Sequence, residues 1–421
     1  MKCITIAAGI ALGAGTAWAD LPVGRGEVSA SITTLATFDS NVYGTHAATA
    51  DYSATVTPQL AYVRKAGQIE AEVNAGVAFI QYLEQTQLNA NNINADATLR
   101  IPASDIRNYS GSLSAAYREA SDINSDLNAR INTETTSVDA RTSLVTGPRS
   151  DFALSGNYVD TQRSLGSNQQ ILTSEAQYDY KDFFYGNSLS IVGTYDELHS
   201  SGDNAFGAPL NQNSYLLSAG LNRSFADNAL RGSLSYGYRI LNRSAAETTS
   251  GSTQQKGSVI SASLEGPFLP ERYFPKVTSS FALSYQDAAT PGINDTGSKE
   301  LTGSLKLAWQ ARENTRVSFT ARRDQGLSVN DLTVVSTNVQ LGLEQTLRYN
   351  LTGTLTAGYD WSSYRTISRD DRTASFSLGL KYHFAHAWDA TFAETLNSTT
   401  STQVASTVDR NVASLGVTYR F

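Results

Sequence analysis

The chain has 421 residues with 32 basic and 39 acidic side chains, a formal charge of -7. That balance supplies no electrostatic footprint for nucleic acid, so no nucleic-acid partner is expected. Mean hydropathy is -0.28, and no segment beyond the N-terminus stays apolar for the ~20 residues a membrane-spanning helix needs.

Residues 1–19 read as a secretory signal peptide. Lys2 supplies the positive end, Ile4 to Ala14 is apolar, and Ala17-Trp18-Ala19 is a small-x-small cleavage site before Asp20. Cys3 precedes the apolar run and is not placed as a lipid-anchor cysteine. Without the signal, no Cys and no Met remain. That excludes a disulfide framework, a thiol nucleophile and a cysteine-based metal site. Residues 20–421 show no linker and no break in composition, so they are read as one domain.

One pattern then repeats to the end of the chain, apolar and polar residues alternating with period two. Val28, Ala30, Ile32, Ala36 and Phe38 oppose Glu27, Ser29, Ser31 and Thr33. Leu189, Ile191, Gly193 and Tyr195 oppose Ser188, Ser190, Thr194 and Asp196. Leu234, Tyr236, Tyr238 and Ile240 oppose Arg231, Ser233, Ser235 and Arg239. Phe281, Leu283 and Tyr285 oppose Ser280 and Ser284, and Leu305, Leu307 and Trp309 oppose Ser304, Lys306 and Gln310. Phe376, Leu378, Leu380 and Tyr382 oppose Ser375, Ser377, Lys381 and His383. Each stretch is about ten residues or slightly more, enough to cross an outer membrane when tilted.

Connections alternate as well. Tight ones lie near Lys65 to Gly67, Pro102 to Asp105, Gly147 to Ser150, Ala226 to Ala229, Arg312 to Thr315 and Arg348 to Asn350. Longer polar ones are expected at Asp39 to Asp51, Glu84 to Asn92, Glu119 to Thr133, Ser200 to Asn213, Arg243 to Lys256 and Ala288 to Ser298. Aromatic residues gather where strands meet turns, at Phe183-Phe184-Tyr185, Phe225, Phe268, Tyr273-Phe274, Phe384, Trp388 and Phe421. These features predict an all-β fold, a single transmembrane antiparallel up-and-down β-barrel of about 20 strands, with short periplasmic turns and longer extracellular loops. Thr136 to Thr146 is poor in bulky apolar residues, and Asp389 to Thr399 places Glu394 among lipid-facing positions. Losing one hairpin there leaves about 18 strands.

The inward positions are small or polar and carry both signs of charge: Glu70, Glu72, Asp139, Arg141, Arg231, Arg239, Lys306, Arg316, Arg322, Lys381 and Arg410. Side chains cannot fill a barrel of this width, so the lumen is expected to be a hydrated channel unless something plugs it. The few residues from Leu21 to Gly26 leave no room for an N-terminal plug domain. A loop folded inward is the remaining way to narrow the lumen, and Glu119 to Thr133 is the best candidate by length. Ordinary ion pairing across strands competes with a selectivity role for any one of these charges.

Catalytic motifs are absent: no phosphate-binding Gly loop, nucleophile elbow or zinc motif. His383 and His386 make a poor metal site. His199-Ser200 is a chance neighbour pair as readily as a base and nucleophile. Asp122-Ile-Asn124-Ser-Asp126 resembles the start of a calcium loop, but Leu127 stands where Gly is needed and Thr133 where an acid should close it. No enzyme activity, catalytic residue, metal or cofactor is expected.

The C-terminal strand completes the pattern. Leu415, Val417, Tyr419 and Phe421 alternate with Ser414, Gly416, Thr418 and Arg420, and the chain stops on the aromatic ring. This resembles the signal by which bacterial outer-membrane barrels are recognised by their assembly machinery. It implies an integral location in the outer membrane, with membrane lipid and that machinery as partners.

Thr37-Phe38-Asp39-Ser40-Asn41-Val42-Tyr43, followed by Asp51-Tyr52 and Val56-Thr57-Pro58-Gln59-Leu60, is similar to the opening of a family of outer-membrane β-barrel porins, beta-barrel porin 2. The resemblance implies a barrel linked to passage or export of polysaccharide, since members are often associated with exopolysaccharide or capsule loci, and polysaccharide export components as partners. It carries no binding residues onto this chain. The expected function is a pore for hydrophilic solutes. The alternatives are a non-conducting structural or adhesive surface barrel and, less favoured for want of a triad, an enzyme at the extracellular rim.

Overall fold

The computed structural model describes residues 21–65, 67–104, 106–124, 126–202, 209–225, 229–245, 253–269, 272, 276–287, 299–365, 367–403 and 406–421. The signal peptide assigned to residues 1–19, the Tyr273-Phe274 pair and the expected loop from Ala288 to Ser298 lie outside them.

Among the described residues twenty-one strands follow in order: β1 Leu21–Val23, β2 Gly26–Asp39, β3 Asp51–Arg64, β4 Glu70–Tyr82, β5 Ala90–Ile101, β6 Tyr109–Asn124 and β7 Ala129–Gly147. Then come β8 Ser150–Arg163, β9 Ser167–Phe184, β10 Asn187–Gly202, β11 Leu210–Phe225, β12 Leu230–Ala245, β13 Thr253–Glu265 and β14 Val277–Gln286. The last third holds β15 Glu300–Arg312, β16 Thr315–Leu327, β17 Thr333–Arg348, β18 Leu351–Tyr364, β19 Arg369–Ala385, β20 Trp388–Ser401 and β21 Val408–Arg420.

From β2 to β21 every strand pairs antiparallel with its sequence neighbour. The ring closes where β2 pairs with both β3 and β21, from Ser31 opposite Arg420 to Asp39 opposite Val412. Twenty strands therefore form a closed barrel with no free edge, the only way an antiparallel sheet satisfies its backbone in lipid. The extra strand β1 turns back at Gly24, where φ is +65°, and pairs with the start of β2, Leu21 opposite Val28. It extends the seam below the end of β21, where the Phe421 amide donates to the Ala30 carbonyl at 2.9 Å.

The period-two pattern fixes which face is wet, because a one-residue slip would invert every side chain. On β12, Leu234 and Tyr236 are exposed on the outer face at 61% and 58%, as free apolar surface suits lipid. Rings run along the outer face near the C-terminal end: Phe384 to Trp388 at 6.1 Å, Trp388 to Tyr419 at 4.5 Å and Tyr419 to Phe421 at 4.7 Å between centroids. Amphipathic rings sit well at headgroup level. Glu394 stands on this outer face in the middle of β20, with the Asn411 amide 3.5 Å from its carboxylate.

Two sequence expectations change. Glu119 to Thr133 is not a long loop. β6 and β7 stay paired up to Asn124 opposite Ala129, so most of that segment is ladder. Its Ser, Thr, Asn and Asp residues look like loop, yet they stand on a paired hairpin, with Asp122 and Asn132 exposed. Loop length also separates the two ends less sharply than expected: β8–β9 and β16–β17 join through only 164–166 and 328–332 at the supposedly long-looped end, and β13–β14 through 266–276 at the other.

Candidate functional site: the lumen and its bridged mouth

Among the described residues the buried apolar cluster lies inside the barrel, where Leu198 and Leu210 of the wall hold Leu327 of β16. The reason is a bend in the β16–β17 hairpin. β15 and β16 pair only up to Gly303 opposite Arg323, while β16 and β17 continue to Leu327 opposite Thr333. Above Arg323 the hairpin leaves the wall and leans into the lumen. The outer stripe Val317, Phe319, Ala321 thereby continues as Gln325 and Leu327 against the opposite inner wall. Glu300, left at the gap and 4% exposed, is bridged by Arg323 at 3.2 Å and Arg365 at 2.6 Å.

The hairpin turn is latched to the wall. Asp331 is fully buried; its carboxylate accepts from Gln169 Nε2 at 2.9 Å and from the Ser200 hydroxyl. Ser167 N donates to the Val329 carbonyl at 2.8 Å.

The β6–β7 tip comes from the opposite side of the ring, ten strands away. Asn124 Oδ1 accepts the amides of Asp126 and Leu127 at 3.0 and 3.2 Å, so the calcium-like stretch is a polar hairpin turn. Asp126 accepts from the Tyr364 hydroxyl and from Val329 N at 3.3 Å. Arg369 donates to the Asp126 carbonyl at 3.0 Å, pairs with Asp371 at 2.6 Å and lies over the Tyr364 ring at 4.7 Å. Asn128 Nδ2 donates to Ser406 Oγ at 2.8 Å. The two tips thus meet across the mouth.

The Phe38-to-Tyr43 motif is part of this arrangement. Asp39, 4% exposed, pairs with Arg410 across the barrel seam at 2.7 Å and with Arg130 of β7 at 3.7 Å. Arg130 also donates to the Val42 carbonyl at 2.7 Å. Gly44, at φ +67°, faces Ile123 of β6 so closely that a Cβ would sit 2.1 Å from it. The loop after β2 is therefore a seat for the β6–β7 tip. Sequence spacing marked the motif; the contacts 88 and 371 residues away had no sequence signal.

Ladder parity puts all eleven inward candidates on one face, Arg410 at the mouth beside Asp39. Glu72, Asp139, Arg141, Arg231, Lys306, Arg316, Arg322 and Lys381 are exposed to water there, and Glu70, Arg239 and Arg410 are partly buried. Arg322 pairs with Asp324 at 2.5 Å. Asp389, 2% exposed, gathers Lys381 at 3.4 Å, His383 at 2.7 Å and the Arg420 guanidinium near the C-terminal end of the lumen. Of the C-terminal pattern, Leu415, Val417, Tyr419 and Phe421 run along the outer face. At the other rim, just beyond the strands, the Tyr285 hydroxyl and then Lys299, 3.4 Å away, hold the Asp287 carboxyl below its ordinary value.

His199 and Ser200 are not brought together. Neighbours on a strand point to opposite faces: His199 binds Glu197 at 2.8 Å outside, and Ser200 binds Asp331 inside.

The profile of the family described as "Putative beta-barrel porin 2" matches residues 285–421, from the end of β14 to the C-terminus. No curated protein matches the chain significantly. Among solved structures, BauA, the ferric preacinetobactin receptor of Acinetobacter baumannii, aligns with TM-score 0.53 and 10% identity over 94% of this chain and 80% of its own. The ferric-catecholate import receptor Fiu of E. coli K12 aligns with TM-score 0.52 and 8% identity, covering 93% and 81%. The FrpB iron transporter of Neisseria meningitidis (F3-3 variant) gives 0.52 and 9%, covering 93% and 82%. At these identities the likeness is one of fold. Porin profile and receptor-like barrel together make the chain an integral outer-membrane β-barrel.

Proposed function

We propose that this integral outer-membrane β-barrel, with porin-family similarity in its C-terminal third, is a pore for hydrophilic solutes whose outer mouth is gated by the β6–β7 and β16–β17 tips. The observation that carries the reading is the lumen face, where charged side chains of both signs stand exposed to water below the bridge. A structural barrel has no need of a hydrated interior. The β6–β7 tip meets the inward hairpin and its sheet through hydrogen bonds from Tyr364, Val329 and Arg369, and such contacts open at modest cost. A role in exopolysaccharide export draws on the family resemblance alone, and none of these groups is proposed to do catalysis.

The bridged mouth favours a second reading, a structural surface barrel without conductance. Planar-bilayer recording separates the two. The pore should pass ions in small steps with weak charge preference, because the lumen has no ring of a single sign. Silence in the wild type and in a bridge-broken variant alike would select the structural barrel.

A further inference from the structure

On the outer face of β8 to β12 the wall is hollowed into a groove of about 650 Å³, within the roughly 300–1,000 Å³ of small-molecule sites. The hollow comes from side-chain size. Gly156, Ser174, Ala176 and Gly193 occupy neighbouring lipid-facing positions on β8, β9 and β10. A Cβ built on Gly193 would meet nothing within 4 Å, so the floor is open. Leu154, Tyr195, Tyr215 and Leu217 rise around it, with the Tyr195 and Tyr215 rings in contact at 5.1 Å between centroids. Tyr215 and Leu217 are 50% and 65% exposed, so their surface is free for whatever fills the groove.

One step further up each strand, on the same face, apolar gives way to polar. Glu197, Asn213 and Asn242 stand above Tyr195, Tyr215 and Ile240. The Glu197 carboxylate is taken up by the Tyr195 hydroxyl at 2.9 Å and His199 at 2.8 Å, and Asn242 Nδ2 donates to Asn213 at 3.0 Å. The groove therefore opens upward at headgroup level, where tyrosine meets polar surface. Lys256 of β13 stands directly opposite Ile240, on the groove's border, and is exposed. Among the described residues it has no carboxylate partner, and the Tyr215 hydroxyl has no hydrogen-bond partner. Asp160, the other acid of this face, is on β8, far round the wall from β13.

We propose that this groove holds one acyl chain of an anionic, phosphate-bearing lipid of the outer leaflet, with the phosphate toward Lys256. Two observations choose the occupant. The groove is continuous with the lipid-facing wall of an integral barrel, so hydrocarbon is what lies against it. The cation at its upper border has its charge uncompensated by protein, which selects an anionic headgroup over a neutral one. A chain seated among Leu154, Tyr215 and Leu217 gains contact on several sides, which the flat wall elsewhere does not offer. The site requires neither an open pore nor a gate, only this wall in a membrane.

Native mass spectrometry of the mature barrel released from detergent tests this, with dimyristoyl phosphatidylglycerol as probe. Dimyristoyl phosphatidylcholine, with the same chains and a balanced headgroup, is the comparison. One phosphatidylglycerol should be retained about fivefold more tightly than phosphatidylcholine, and Lys256→Gln should remove that difference while leaving phosphatidylcholine unchanged. Gly193→Leu, which fills the floor, should weaken both lipids about fivefold or more in a barrel that is still heat-modifiable. Lys256→Gln changes an exposed side chain and keeps the test decisive if Gly193→Leu does not fold. Glycerol phosphate should not displace the lipid. Equal retention of the two lipids, or retention indifferent to Lys256→Gln, overturns the proposal. So does retention indifferent to Gly193→Leu in a folded barrel, or full displacement by glycerol phosphate, which would make this a site for free anions.

Discussion

The Tyr364 hydroxyl donates to the Asp126 carboxylate across 238 residues of sequence and across the mouth of the barrel. Tyr364 ends β18, which continues the sheet of the inward-leaning β16–β17 hairpin, and Asp126 sits at the tip of the opposing β6–β7 hairpin. Both hairpins are held by their own wall at the base, so this bond and its neighbours decide whether the tips stay together.

Removing the bond should loosen the mouth. A hydrogen bond to a charged group contributes roughly 1.5–3 kcal/mol. Tyr364→Phe should therefore raise the open-to-closed ratio at least tenfold, seen as longer open times in single-channel records without loss of folded barrel. Unchanged open times would show that the bridge does not gate.

Locking the β6–β7 tip to the connection between β20 and β21 should do the reverse. The mature chain is expected to contain no cysteine, so an Asn128→Cys, Ser406→Cys pair would be its one pair of thiols; the native side chains already meet at 2.8 Å. Oxidation should suppress conductance, and a reductant should restore it. Conductance that ignores the redox state while the bond is shown by mass spectrometry to have formed would place the conducting path elsewhere.

Charge preference should follow the exposed lumen cations. Arg231 and Lys306 both lie on the inner face and are exposed to water. Changing both to Glu should move the reversal potential in a salt gradient toward cation preference. An unmoved reversal potential would mean that ions do not pass these strands.

Glu394 is an ionisable group on the lipid face, in the middle of β20. Charged residues there are destabilising, by about 2–4 kcal/mol for Arg or Lys at the midplane and less for acids. Glu394→Leu should thus raise the temperature at which the folded band is lost on a heat-modifiability gel. A drop would show that the Asn411 amide, 3.5 Å away, outweighs the cost of the charge in that face.

Deleting Phe421 should lower outer-membrane levels more than it lowers the stability of barrel already folded. Phe421 adds one edge contact to Tyr419 and one backbone bond to Ala30, and burial of one ring is worth a few kcal/mol at most. Normal membrane levels of the truncated protein would remove its role as an assembly signal.

The barrel was legible in the sequence because strand alternation is a local property. Leu234 and Tyr236 face lipid, and Arg231 and Arg239 face the lumen, wherever the strand lies in the ring. The last strand could be read the same way, since Leu415 to Phe421 carries the pattern up to the last residue. Glu394 stood out for the same reason: a carboxylate in an apolar stripe is visible from its immediate neighbours. The mouth was not legible. Glu119 to Thr133 has turn composition, and only pairing with β7 reveals it as a hairpin arm. Nothing near Leu327 says that an apolar residue following a lipid-facing stripe will be buried on Leu198 inside the barrel. That depends on β16 parting from β15 at Gly303, on Glu300 being held by Arg323 and Arg365, and on Asp331 reaching Gln169 and Ser200. Period-two patterning records which face of the sheet each residue takes, and that alone follows from the sequence; whether a hairpin stays in the wall or leans across the lumen is decided by contacts between segments hundreds of residues apart, which only the closed ring brings together.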